Sequence, residues 1–100
     1  MRADRDEWEI EMRSIWKFKL NSAEQFVHMP RGARVLSAGV QGNDICVWAV
    51  VDPEAEKCLR AIKAYPTGSF MPPADNIDSA VFVGTVFLGW LVFHVFDSGE

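Results

Sequence analysis

The chain has 100 residues, 49% of them hydrophobic and 12% aromatic, which is enough apolar material for one modest core and excludes a mostly disordered protein. Its net charge of −4 is unevenly placed: residues 1–11 (MRADRDEWEIE) set Arg2 and Arg5 against Asp4, Asp6, Glu7, Glu9 and Glu11, contributing −3 and leaving −1 on the rest. A near-neutral body excludes nucleic-acid binding through bulk charge, because duplex affinity comes from clustered Lys and Arg on phosphates.

Residues 1–11 add charge without a strand pattern and read as an N-terminal appendage, or as a short helix if Trp8 and Ile10 dock on the body. Residues 12–100 then form a single β-rich domain, and Met1 and Met12 both stand as starts. The acidic opening lacks the apolar run of a secretory leader, so a reducing, cytoplasmic setting is expected. "SIWKFKL" alternates, with Trp16, Phe18 and Leu20 on one side and Arg13, Ile15, Lys17 and Lys19 on the other, the mark of a half-buried strand. "QFVHMP" is a second strand ending at Pro30. "QGND" at 41–44 punctuates two apolar runs and predicts a hairpin of "RVLSAGV" with "ICVWAVV", in which Val40 faces Ile45 and Leu36 faces Ala49.

"DPEAEKCLRAIKAY" carries a strong helix start: Asp52 as N-cap, Pro53 at the first helical position, acids at 54 and 56, and Ala55, Cys58, Leu59 and Ile62 at helical spacing. As a strand, it would instead pair with the preceding one. Cys46 and Cys58 would then lie five positions apart, about 17 Å, beyond disulfide reach, so both read as buried or idle thiols. The proline-rich loop at 66–79 is irregular. "AVFVGTVFLGWLVFHVF" at 80–96 is short for a membrane-spanning helix, is broken by Gly84 and Gly89, and is rich in Val and Phe. It predicts a hairpin with a four-residue loop "FLGW" and two apolar faces. One face holds Val81, Val83, Thr85, Phe87, Trp90, Val92, His94 and Phe96; the other holds Phe82, Val86, Leu91, Phe93 and Val95.

The ordered set "IWKFKL", "MPRGARVLSAGVQ", "VWAVVDPEAEK", "YPTG" and "FVGTV…LVFHVF", running from Met12 to Phe96, resembles a family of small proteins encoded by tailed bacteriophages and prophages. The resemblance assigns no chemistry. It implies a phage or prophage origin, and it implies a strand rather than a helix over residues 58–66. The present chain departs from that pattern at Ala61, Lys63, Ala64 and Pro66, where relatives carry more β-branched residues.

Chemistry is sparse along the chain. His28 and His94 have no spaced Cys or Asp partner, so no zinc site is expected. There is no nucleophile beside a base and no Gly-rich phosphate loop, so neither enzymatic activity nor a cofactor is expected. Asp52, Glu54 and Glu56 read as a solvated loop. Arg13, Lys17 and Lys19 share a strand face and are candidates for an anion site with Arg60, Thr67 and Gly68; the alternative is protection of a sheet edge. Trp90 and His94 are candidate contact residues.

The expected fold is mainly β: an antiparallel sandwich or partly open barrel of six or seven strands, with one short helix near 53–64 as an option. The expected function is stoichiometric, non-enzymatic binding. The expected partners are a second copy of the chain, because the two apolar hairpin faces need cover, and a bacterial host protein. A sponge for a small phosphorylated ligand, or a virion or replication accessory role, are the alternatives.

Overall fold

The computed structural model describes residues 12–21 and 24–100, so the expected appendage at 1–11 lies outside the described residues. The period-2 segments become seven strands: β1 (Ser14–Lys19), β2 (Glu24–Pro30), β3 (Arg34–Gln41), β4 (Asp44–Val51), β5 (Lys57–Pro66), β6 (Val81–Leu88) and β7 (Leu91–Gly99). They form two antiparallel sheets, one in the order β1-β4-β3 and the other in the order β2-β5-β7-β6.

In the three-stranded sheet, β4 is central and β1 runs beside it from Ser14↔Val51 to Lys19↔Cys46. The alternation therefore sends Trp16, Phe18, Val47, Ala49 and Val51 inward and leaves Ile15, Lys17 and Lys19 outside. The β3–β4 hairpin turns at Gly42 (φ 62°) and pairs Val40 with Ile45 as expected. The pairing of Leu36 with Ala49 is corrected: Val35 takes that place and Leu36 is the extra residue of a bulge.

The contested segment is a strand. Asp52 does cap, its Oδ1 accepting from the Glu54 N–H (3.1 Å) and its carbonyl from the Ala55 N–H (3.1 Å), but this closes a single turn and no helix follows over 53–64. Both ladder edges of β4 are already taken, so the Asp52–Glu56 turn carries the chain into the other sheet, and the expected pairing of β5 with β4 does not occur. There β5 is interior, between β2 and β7, with Ile62 and Ala64 buried on its inner side. Burying Ile62 on β5 and Met29 on the adjacent β2 contributes about 2 kcal/mol each, more than local helix propensity supplies. Cys46 and Cys58 are both free thiols, one on each sheet.

The inner faces meet in one core of Val27, Met29, Val47, Val51, Ile62 and Val95, with Trp16, Phe18 and Phe93 packed against it. At one side, β3 and β6 run together without forming a ladder; a Cβ on Gly84 would lie 3.6 Å from the Ala38 amide nitrogen. The barrel is thus open. The terminal hairpin also differs from its expected form. Leu88 pairs with Leu91, leaving a two-residue Gly89-Trp90 turn in place of the four-residue loop, and Gly89 at φ 63° supplies the first-position geometry such turns need. A bulge at Val83 then reassigns Phe82 to the face of Thr85, His94 and Phe96. Among the described residues no helix is long and apolar enough to cross a membrane.

Candidate binding surface

Strands β5 and β6 are parallel, each antiparallel to the β7 that separates them, so residues 67–80 cross from one end of the four-stranded sheet to the other. The crossover lies on the outer face, since the outward residues Lys63 and Tyr65 of β5 both reach it. The Lys63 ammonium donates to Asp75 Oδ1 (2.9 Å) and the Tyr65 hydroxyl to Asp75 Oδ2 (2.7 Å). These two bonds, Lys63 first, hold the Asp75 carboxyl below its ordinary pKa. Asp75 sits in one of two single-turn 3-10 segments that let the proline-rich crossover descend. Beneath it Tyr65, Phe96 and Phe82 form a row of edge-to-face rings with centroids 5.9 and 5.4 Å apart. The crossover therefore covers part of the hairpin's outer face, that of Phe82, His94 and Phe96.

Toward the Gly89-Trp90 end, His94 stands between two hydroxyls: its Nε2 is 2.7 Å from Thr67 Oγ1 and its Nδ1 is 3.0 Å from Thr85 Oγ1. Both ring nitrogens are satisfied by neighbouring strands. This arrangement clips the end of β5 to β7 and β6, with one imidazole held between two hydroxyls. Among the described residues no group of His, Cys, Asp and Glu is placed to hold a metal ion.

Around the crossover the sheet face is left bare. Phe26 is 68% exposed on β2, Phe82 and Phe87 are 55% and 67% exposed on β6, and Trp90 is 94% exposed in the turn. With Leu59 on β5 these large apolar groups belong to one side of the molecule. Isolated exposed leucines are ordinary, but several aromatics on one sheet face mark a contact surface.

The predicted cationic cluster is divided between the sheets. Arg13, Lys17 and Lys19 do lie together along β1, where Lys17 donates to Gln41 Oε1 (2.6 Å) and Lys19 faces Asp44 at 3.7 Å. Arg60 is on the inner side of β5 in the other sheet. Its Nε and Nη2 donate to the two oxygens of Asp97 (2.9 and 2.8 Å), its Nη1 donates to the Ala33 carbonyl (2.8 Å), and side chains of both partners are about one-tenth exposed, 12% and 8%. That guanidinium is committed to the fold. Thr67 joins His94, while Gly68 (φ 87°) shapes the exit from β5 beside them. Trp90 occupies the hairpin turn.

The sequence reading missed Phe26, Phe82 and Asp75 as surface determinants and Asp97 as a buried acid. Asp97 was open to detection, because it continues the inward period of Phe93 and Val95. The other three depend on a bulge and on the path of the crossover.

The chain belongs to the DUF7352 family, a domain of unknown function, which it matches over residues 12–100. No curated protein and no solved structure matches it.

Proposed function

We propose that the chain is a non-enzymatic binding protein that acts by stoichiometric contact, with the outer face of the four-stranded sheet as its working surface and a second copy of the chain as that surface's first occupant. The observation that carries this reading is the exposure of Phe26, Phe82 and Phe87 on one face that the crossover covers only in part. A monomer would hold this apolar area in water; twofold self-pairing removes it at no cost in new sequence. The resemblance to phage and prophage proteins extends the reading: the dimer is a phage- or prophage-encoded accessory protein of the bacterial cytoplasm, directed at a host protein.

Size-exclusion chromatography with light scattering tests the pairing. At tens of micromolar the full chain should show twice its own mass, and Phe87→Glu should show a single chain mass with an unchanged far-UV spectrum. A monomeric wild type, or a Phe87→Glu variant that still dimerises, would overturn the reading.

A further inference from the structure

At the end of the molecule away from His94, the turn between β2 and β3 grips an acid. The Gly32 backbone N–H donates to Glu100 Oε2 at 2.6 Å, Arg60 Nη1 lies 3.6 Å from that oxygen, and Arg31 Nη1 lies 3.8 Å from the other. Gly32 has φ 80°, in the left-handed region that glycine adopts freely, and the turn is closed by the Ala33 N–H on the Pro30 carbonyl (3.1 Å). A peptide N–H flanked by guanidinium groups is a common design for binding anions. The Glu100 carboxyl is held below its ordinary pKa, first by Gly32 and then by the nearby thiol and arginines.

Arg31 and Gly32 also line a cleft of about 610 Å³ whose other walls carry Arg13 and Arg34, faced by Asp52 and Glu56. The cradle around Glu100 and this cleft adjoin, sharing Arg31 and Gly32. Arg60 there is paired with Asp97, and Arg31 Nε donates to Glu56 Oε1 (3.3 Å) while its Nη1 faces Glu100. Removing the Glu100 carboxylate frees the Gly32 peptide donor and withdraws one negative charge from beside Arg31 and Arg60.

We propose that this end of the molecule is a binding site for a small phosphate-bearing ligand, with the Glu100 side chain occupying the anion cradle as an internal stand-in. The proposal is independent of the dimer face, which is the outer side of the four-stranded sheet, whereas Arg60 and Asp97 lie on its inner side. A phosphate offers the Arg31 guanidinium and the Gly32 peptide N–H more acceptor oxygens than a carboxylate does, and the adjoining cleft offers room for a second charged group near Arg34. The ligand is small because the body of the protein lacks the positive field that a nucleic acid requires.

Inorganic pyrophosphate is the probe, with affinity measured by calorimetry and the site identified by the Gly32 amide resonance. Glu100→Ala should bind at least tenfold more tightly than wild type, with the Gly32 resonance shifting as it saturates. Adding Arg34→Ala, an exposed change that leaves the core intact, should lose at least tenfold. Adding Lys17→Ala instead, remote on β1, should change affinity less than twofold. Equal affinity in wild type and Glu100→Ala, no loss on Arg34→Ala, or an equal loss on Lys17→Ala would overturn the proposal, the last by showing response to net charge alone. A glutarate titration that matches pyrophosphate would also overturn it, in favour of a dicarboxylate site.

Discussion

Of the three cations on strand β5, Lys57, Arg60 and Lys63, the last two do different work. Arg60 turns inward, meets Asp97 with both forks and ties the β2–β3 turn through the Ala33 carbonyl. Lys63 turns outward and, with Tyr65, fastens Asp75 of the crossover. The first pair joins neighbouring strands of one sheet; the second fastens the crossover to the outer face and decides how much of an aromatic face is covered. Burial does not separate them, the side chains being 12% and 8% exposed in the first pair and 17% and 11% in the second; what separates them is what each joins, two ladder strands in one case and a strand with an irregular crossover in the other.

The largest effect should come from the inner pair. Arg60→Met strands the Asp97 carboxylate and should destabilise the domain by about 3 kcal/mol, read by urea denaturation. Arg60→Met with Asp97→Leu should recover most of that loss, since no uncompensated charge remains. Additive losses in the double variant would erase the distinction between the two pairs.

The outer pair predicts a change in the surface more than in stability. Asp75→Ala should lower the melting temperature less than Arg60→Met does, while amide exchange accelerates within residues 67–80 and the strands stay protected. Global acceleration would mean that the crossover is part of the core.

Acid sharpens the same contrast. The Asp75 carboxyl has a folded-state pKa below its ordinary 3.8. Its contribution is therefore complete above that value and is lost as pH falls through the lower, folded value. Melting temperatures between pH 7 and pH 3 should fall less steeply in Asp75→Asn than in wild type.

The smallest effect belongs to the threonine clip. Thr85→Val leaves His94 Nδ1 without its partner at an exposed site and should cost about 1 kcal/mol or less, with the light-scattering mass unchanged.

These contrasts also mark how far the sequence could be read. β1, β2 and the β3–β4 hairpin were legible because apolar residues alternate between one buried and one solvated face, as Trp16 and Phe18 do against Lys17 and Lys19. β5 was ambiguous because Asp52-Pro53 is a sound helix start, and only its place between β2 and β7 overrides it. A single bulge at Val83 moved Phe82 to the opposite face from the one its spacing indicates. The candidate surface was the least legible part. Covering of Tyr65 and Phe96, and baring of Phe82 and Phe87, follow from the route of a proline-rich segment with no periodicity to read.

The sheet order β2-β5-β7-β6 places the last of the seven strands between two earlier ones. Assembly cannot proceed by adding strands at an edge in the order in which they are made. The β6–β7 hairpin, closed by a two-residue turn, is local and forms within microseconds. Its docking onto β5 must close a chain segment of some thirty residues while the crossover swings over β7, so this long-range step sets the folding rate. Until it is complete, the inward edge of β5 and the apolar inner side of the hairpin are exposed together. Rapid refolding from denaturant at high protein concentration should therefore lose material to aggregation that slow dilution would save.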